Sequence, residues 1–348
     1  MGCRLDFVTG SDCAVSAVLG SRGIRESAPW VYDPGDLRRP AYEKTLMRGE
    51  CVSTRRIRAA ATLVATVTLG ALAAAVAPTA SAAPAANGGD PVFLVHGYND
   101  SGDSDCASLW GNAIDYFGSK GIDKSSIHTV GYYAGDSNCE VDLGDADTNT
   151  RIKDVAAAFA HQIHNTNTST GRSVDIVAHS MGGLVTRVAL LGSAKGWEGF
   201  PAAKLQVGDV VTLSTPHQGI VDKSKYQSEQ WDSMVPGSKF LEVLQAPENR
   251  LDQGWAQGVD WSVVGSDEDE TANGDSGIDK DRPAQHKYRY LSDDKHDLSH
   301  TNMRKLAPGD GDYNLRYWNA SEGKPHDTTN GWAPLETAFN ALDRGGNA

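Results

Sequence analysis

The stretch Ala178-His-Ser-Met-Gly182 contains a serine whose surroundings suit nucleophilic chemistry. A serine hydroxyl attacks only when a base removes its proton and the backbone presents its oxygen to the substrate. A sharp turn between a strand and a helix does the presenting, and it needs small residues two positions before and after the serine. Ala178 and Gly182 meet that need, and Val174-Asp-Ile-Val177 before them reads as a buried strand. We therefore expect Ser180 to be a catalytic nucleophile.

The rest of the chain after residue 90 alternates short apolar runs with longer segments of helical period. Such alternation predicts an α/β fold with a mostly parallel sheet and helices on both of its faces. Residues 220–258 break the alternation and predict a small cap-like insertion, with Trp231, Met234 and Phe240 among polar residues. The expected strands are 91–95, 127–134, 174–177, 207–213, 261–264 and 288–291, and the expected helices are 109–117, 155–163, 183–191 and 334–342.

The run Pro91-Val-Phe-Leu-Val-His-Gly-Tyr98, followed by the serine stretch, resembles the α/β-hydrolase family over roughly residues 90–305. Within that family it is most similar to small secreted bacterial lipases and esterases, in which alanine often replaces the first glycine of the serine turn. The resemblance implies that the backbone N–H groups of Tyr98 and Met181 bind the oxyanion. It also implies that His96 orients the loop that carries Tyr98.

The order of the family's catalytic residues is serine, acid, histidine. After the expected strand at 288–291 come two histidines, His296 and His300, and either could be the base. His300 follows Leu298-Ser299 and precedes a helical-looking segment at 302–306, which resembles the family's loop better. We therefore favour His300 and expect His296 to lie at the surface.

The acid should follow the strand at 261–264, where the chain has Gly265-Ser-Asp-Glu-Asp-Glu270. Its task is to fix the tautomer of the histidine and to stabilise the imidazolium. Asp269 fits a Ser-x-x-Asp-Glu step seen in some lipases, and it is our choice. Asp267, Glu268 and Asp275 remain open alternatives.

The other histidines have simpler expected roles. His217, in Ser-Thr-Pro-His-Gln-Gly, matches a stretch common in lipases, where it forms part of the pocket wall. We expect the remaining ones to face solvent: His128, His161, His164, His286 and His326.

No cofactor or metal is expected, and a structural calcium ion bound by other carboxylates remains an open alternative. The segment from Asp269 has a glycine at position six of an EF-hand-like loop, but position twelve is Lys280 where a glutamate should stand. The zinc motifs His-Glu-x-x-His and Cys-x-x-Cys are also missing from the sequence. The formal net charge of −13 argues against nucleic acid and anionic membranes as partners.

The first 82 residues read as material outside the catalytic domain. A basic cluster at 55–58, an apolar run at 59–77 and Ala80-Ser-Ala82 have the order of a secretory signal peptide, here taken as 47–82. We expect residues 1–46 to be an over-extended, disordered start and residues 83–348 to be the mature, secreted chain. Cys106 and Cys139, the two cysteines of that chain, should form a disulfide.

Together these features predict a monomeric serine hydrolase that cleaves carboxylic esters through an acyl-enzyme, acting on an ester or lipid substrate without stable insertion in a membrane. The same catalytic groups would serve a secreted amidase or a polyester depolymerase. A binding protein on the same fold, without catalysis, is the alternative from another class. The choice between lipase and short-chain esterase stays open at this point.

Overall fold

The computed structural model describes residues 87–309 and 311–344. The expected signal peptide at 47–82 and the expected disordered start at 1–46 lie outside these residues. Within them, the longest helices are too short or too polar to cross a bilayer.

A nine-stranded sheet forms the centre of the domain. Its strands are β1 Val92–Val95, β2 Ile127–Tyr133, β3 Val141–Ala146, β4 Asp175–His179, β5 Asp209–Leu213, β6 Asp260–Ser266, β7 His286–Tyr290, β8 Tyr313–Asn319 and β9 Pro325–Gly331. They lie in the order β3-β2-β1-β4-β5-β6-β7-β8-β9, and β3 to β7 are parallel while β8 and β9 pair antiparallel. Every residue of β1 and β4 is buried, as expected for inner strands covered on both faces.

Helices cover both faces of this sheet. They are α1 Cys106–Ser119, α2 Ile152–Thr166, α3 Met181–Lys195, α4 Glu229–Ser233, α5 Lys239–Gln245, α6 Gly274–Gly277 and α7 Pro334–Arg344. One core cluster joins α2 and α3 to the sheet through side chains such as Phe159 and Leu184. A second cluster on the opposite face joins α1 and α7 through Trp110 and Leu335. The fold is therefore α/β with a mostly parallel central sheet, as the sequence predicted.

The insertion at 220–258 carries α4 and α5 and packs on the α2–α3 face. Its apolar side chains Trp231, Met234, Leu241 and Leu244 belong to the main core cluster rather than to a separate small core. Gln230, which is fully buried, donates to the carbonyl oxygens of residues 147 and 150 and accepts from the Tyr133 hydroxyl. The insertion is thus held to the body of the domain by both apolar and polar contacts.

Cys106 and Cys139 form the predicted disulfide. It joins the first residue of α1 to the loop between β2 and β3. A parallel backbone bridge between Asp105 and Ser137 runs beside it. The bond therefore fixes the loop that follows β2, which ends at the same edge of the sheet as β4.

Some elements differ from the expectations. Strands β3, β8 and β9 were not predicted, because their alternating or polar sequences lack a continuous apolar run. The expected helix at 302–306 is a single 3-10 turn, Asn302–Arg304. His286, expected at the surface, is buried because β7 is an inner strand, and its ring contacts Asn319 and Asp260.

Candidate active site

Ser180 lies at the sharp turn between β4 and α3. Its backbone angles are φ 56° and ψ −131°, a conformation that residues other than glycine rarely adopt. The turn is held by two hydrogen bonds: the Ser180 N–H donates to the Leu213 carbonyl at 2.9 Å, and the Thr215 hydroxyl donates to the Ser180 carbonyl at 2.9 Å. The strained turn therefore points the hydroxyl out of the sheet edge while the backbone around it stays fixed.

Small residues let the neighbouring backbones approach this turn. A Cβ atom on Gly97 would lie 2.5 Å from the Cβ of Ser180, closer than any real contact. A Cβ atom on Gly182 would overlap the backbone carbonyls of Val95 and His96 in the same way. The glycines in both sequence motifs are thus explained by the close packing of β1 against the start of α3.

His300 and Asp269 stand in line with the Ser180 hydroxyl. The distance from Ser180 Oγ to His300 Nε2 is 2.9 Å, and His300 Nδ1 lies 2.8 Å from Asp269 Oδ2. Asp269 is 3% exposed, and its Oδ1 also accepts the backbone N–H groups of Thr271 and Ala272. The structure therefore brings together the three residues that the sequence analysis selected as nucleophile, base and acid.

The alternative acids are engaged elsewhere. Asp267 pairs with Arg289, and Asp275 pairs with Arg289 and Lys280. Glu268 accepts the backbone N–H groups of residues 293 and 298, so it shapes the loop that leads to His300.

His296 lies away from the serine and is not at the surface, which corrects the expectation for it. It is 6% exposed, its Nδ1 is 2.9 Å from Asp293 Oδ2, and its ring stacks on Tyr313 at 3.9 Å between centroids. The antiparallel strand β8, which the sequence analysis missed, brings Tyr313 over this histidine.

The loop after β1 runs beside the turn. Because Val95 pairs with Ala178 in parallel register, the segment from His96 to Tyr98 comes next to Ser180. Tyr98 follows Gly97, and Met181 opens α3, so both residues proposed to hold the oxyanion lie in segments that flank the serine. The positive end of the α3 dipole at Met181 favours negative charge there.

His96 holds this loop, as expected, but through a partner that the sequence analysis missed. Its Nε2 lies 2.9 Å from Asp136 Oδ2, and that oxygen also accepts the backbone N–H groups of Tyr132 and Tyr133. The Tyr132 ring stacks on His96 at 4.1 Å, and its hydroxyl donates to the His96 carbonyl. Asp136 follows β2 at the sheet edge of the site, a position from which it could have been suspected.

His217 is not part of the pocket wall, contrary to the expectation. It is fully buried, with Nε2 3.0 Å from the Thr212 hydroxyl and Nδ1 3.4 Å from Arg187 Nη1. Burial lowers its pKa to about 3, so the ring stays neutral. His217 therefore belongs to the packing between α3 and the insertion.

A cleft of about 240 Å³ opens over Ser180. One wall comes from the loop after β1 and from the insertion, where the rings of Tyr98, Tyr226 and Trp231 lie 4.8 to 5.5 Å apart between centroids. The remaining lining is largely polar: Asn99, Asp100, Ser104, His179, Lys225, Glu270, Thr271, His300, Thr301 and Arg304. The site thus combines an aromatic wall with an otherwise largely polar lining.

The part of the chain in residues 87–309 and 311–344 offers no metal site. There, His, Cys, Asp and Glu side chains do not form any group of three that could hold an ion.

The comparisons with known proteins agree with this fold. Residues 86–253 match the family model described as the PGAP1-like alpha/beta domain. Together with the sheet order and the strand–serine–helix turn, the match indicates the α/β-hydrolase fold. No curated protein sequence matches the chain.

Several solved structures are similar in fold. Aspergillus fumigatus lipase B is 18% identical, with a TM-score of 0.40, covering 58% of this chain and 43% of its own. Phospholipase PlaB from Legionella pneumophila, solved with thio-NAD, is 18% identical, with a TM-score of 0.39, covering 51% and 37%. Bacillus licheniformis lipase BlEst2 in its propeptide form is 16% identical, with a TM-score of 0.41, covering 62% and 47%. The chain spans less than half the length of each of these three structures.

Proposed function

We propose that this chain is a secreted serine hydrolase that cleaves carboxylic esters by a Ser180–His300–Asp269 mechanism. The observation that carries the proposal is the pair of hydrogen bonds that joins the three side chains, at 2.9 Å and 2.8 Å. A serine bonded to a histidine that is itself held by a buried carboxylate has the arrangement that activates a hydroxyl for attack.

In the proposed reaction, Ser180 Oγ attacks the carbonyl carbon of the ester while its proton passes to His300 Nε2. The backbone N–H groups of Tyr98 and Met181 hold the oxyanion, and each such donor contributes about 3 kcal/mol to the lowering of the barrier. The intermediate then collapses, and the departing alcohol takes the proton from His300. Water repeats these steps on the acyl-enzyme and releases the acid.

Asp269 acts through His300. Because its carboxylate contacts Nδ1, it keeps the proton of the neutral ring on that nitrogen and leaves Nε2 free to accept from Ser180. Two backbone N–H groups donate to Oδ1 of Asp269 and fix the position of its carboxylate.

The test of this function is labelling with a fluorophosphonate probe, together with hydrolysis of 4-nitrophenyl butyrate. The wild-type chain should be labelled at Ser180, and Ser180→Ala should lose both the label and at least about 10³-fold in kcat. Ser169→Ala, at an exposed serine in a 3-10 turn, is the matched control. A wild-type chain that the probe does not label would contradict the proposal.

The proposal also includes export from the cell, a monomeric state and the kind of ligand that the chain binds. The leader-like sequence at 47–82 and a disulfide support export, since disulfides persist in oxidising compartments. We expect a monomer that binds an ester or lipid and neither nucleic acid nor, in a stable way, the membrane interior. Sequencing the N-terminus of protein from culture medium should give a start at residue 83, and light scattering should give the mass of one chain; a start before residue 70 or a dimer mass would refute the respective part.

A further inference from the structure

Arg304 is a buried cation that lines the cleft over Ser180. It closes the 3-10 turn Asn302–Arg304, four residues after His300, and it is 7% exposed. One nitrogen of its guanidinium, Nη1, donates to the backbone carbonyl of Leu109, a residue of α1 that also lines the cleft. The catalytic mechanism proposed above makes no use of this side chain.

No carboxylate pairs with Arg304. Among the ion pairs of the described residues, none includes this guanidinium, and burial is the single cause that lowers its pKa, to about 10. Arg187, which is fully buried, has by contrast Asp279 at 3.3 Å and two backbone carbonyls as partners. A guanidinium withdrawn from water without an anion is costly, so Arg304 differs from an arginine with a purely structural role.

The nitrogens of Arg304 that do not reach Leu109 are still accessible. They are absent from the buried polar atoms that lack a partner in the described part of the chain, and the residue forms part of the cleft surface. A guanidinium presents several N–H donors in a plane and binds carboxylate or phosphate oxygens in pairs. The buried hydroxyl of Ser104 lines the same cleft and can add a donor for such a group, because it accepts from the Asn99 amide and keeps its own proton.

We propose that Arg304 binds an anionic group of the ester substrate, a carboxylate or a phosphate, while Ser180 attacks the ester carbonyl. This inference rests on the proposed function and names its substrate class: esters that carry a negative charge close to the bond that is cleaved. Arg304 would then be a residue that determines specificity, and it would take no part in the proton transfers.

Two carboxylates also line the cleft, and their repulsion of a bound anion is weaker than the attraction of the Arg304 guanidinium. Asp100 and Glu270 also line it, but both are exposed, and Glu270 accepts the backbone N–H of His300. Water and salt screen exposed charges more than buried ones, so the guanidinium dominates at short range. Because the whole chain carries a formal charge of −13, a preference for anions cannot come from general attraction and has to come from a local contact.

The test uses two pairs of esters matched in size, with kcat/KM measured at low and high salt. In the first pair, mono-4-nitrophenyl succinate places a carboxylate where 4-nitrophenyl butyrate has a methyl group. In the second pair, dibutyrylglycerol phosphate places a phosphate where tributyrin has a third acyl chain. The wild-type chain should prefer the anionic member of at least one pair by about tenfold, the value of a charge-assisted hydrogen bond of about 1.5 kcal/mol. The pair that shows the preference identifies the anion.

Variants at Arg304 locate the preference. Arg304→Gln should lower the ratio of anionic to neutral kcat/KM to about one, and Arg304→Lys should retain part of it. Arg172→Gln, at an exposed arginine remote from the cleft, should leave the ratio as in the wild type. A wild-type chain that hydrolyses neutral esters and prefers neither anion would overturn the assignment while the proposed function stands, and so would a ratio that Arg304→Gln does not change.

A binding measurement tests the anion site independently of the proposed hydrolase activity. A melting temperature measured beside it shows whether the variants are still folded. Titration of Ser180→Ala with succinate and with glycerol phosphate, followed by calorimetry, should show binding of one anion. Adding Arg304→Gln to this variant should abolish that binding at an unchanged melting temperature. If instead no ester is hydrolysed and the phosphonate probe does not react, the proposed function fails, and this titration still decides for or against Arg304.

Discussion

His179 Nε2 lies 2.8 Å from the backbone carbonyl oxygen of His300. His179, the residue before Ser180, therefore helps to hold in place the histidine whose ring contacts the Ser180 hydroxyl. The two rings are also 4.8 Å apart between centroids. Burial holds the pKa of His179 well below its usual value, which keeps the ring neutral with one N–H to donate. The serine turn and the histidine loop are therefore connected by a bond that does not involve the Ser180 hydroxyl.

Replacing this donor should weaken catalysis without removing it. His179→Phe fills the same space but lacks the N–H, so we expect kcat to fall about fivefold, the effect of losing one hydrogen bond of about 1 kcal/mol. His179→Gln can still donate and should recover most of the loss. Steady-state kinetics on 4-nitrophenyl butyrate measure both variants, and equal losses in the two would argue against a positioning role.

Substitutions of His300 and His296 should have different effects on kcat and on the melting temperature. His300→Ala removes the proposed base and should lower kcat by at least about 10³-fold with little change in melting temperature. His296→Ala removes a ring that stacks on Tyr313 in the core, so it should lower the melting temperature and leave kcat within about threefold of the wild type. Loss of activity in the second variant alone would reverse the assignment of the base.

The acid can be tested with a substitution that keeps its shape. Asp269→Asn keeps one acceptor but favours the wrong tautomer of His300, and kcat should fall by about 10⁴-fold. Asp275→Asn is the matched control, since Asp275 pairs with Arg289 and Lys280, and its activity should stay near that of the wild type. Comparable losses in both variants would remove Asp269 from its proposed role.

Much of the fold could be predicted because the inner parallel strands are rich in apolar and β-branched residues. In an α/β chain, Val92–Val95 and the segment before Ser180 indicate buried strands, which the structure has as β1 and β4. The small residues on either side of Ser180 indicate the sharp turn. Strands β8 and β9 were missed because β9 is nearly all polar and lies at the edge, where pairing with β8 rather than burial keeps it in place.

The acid, the base and Arg304 show the limit of prediction from sequence for the site. Several carboxylates follow β6, and only the three-dimensional path of the loop turns Asp269 toward His300 while its neighbours meet Arg289 or backbone amides. Arg304 gives no sequence signal, because its lack of a carboxylate partner is visible only once all its neighbours are known.

Gly97 should not tolerate a side chain. In Gly97→Ala the new methyl group would lie 2.5 Å from the Cβ of Ser180, so the loop that carries Tyr98 must move. We expect kcat to fall by at least about tenfold and the free energy of unfolding to fall by about 1–3 kcal/mol. Gly111→Ala, in α1 where a Cβ meets nothing within 4 Å, should instead leave kcat unchanged and stabilise the chain by up to about 1 kcal/mol.

The pH dependence of stability should reflect carboxyl groups at the edge of the sheet opposite the site. Burial raises the pKa of Asp175 to about 7, and burial together with Asp175 and Asp260 raises that of Asp209 to about 8. The native state keeps these protons to a higher pH than the unfolded chain, so stability is lost as pH rises from about 4 to about 8.

Asp209→Asn removes one of these groups and should flatten the dependence. Urea unfolding at pH 5, 7 and 9 should show that the wild type loses more free energy of unfolding over this range than the variant does. Asp115→Asn, at an exposed aspartate of α1, should behave like the wild type. A wild-type stability that rises with pH over the same range would show that these carboxyl groups do not govern it.

Ser180 and His300 are 120 residues apart in sequence, and Asp269 lies 31 residues before His300. The serine turn is complete once β4 has paired with β1 and β5, but base and acid arrive only with β6, β7 and the loops after them. A growing or partly folded chain therefore has the Ser180 hydroxyl in its turn but lacks the base His300 and the acid Asp269 beside it. Under the proposed function, esterase activity would need these later elements in place, and a chain folded only as far as β5 would spare the esters of the cell that makes it.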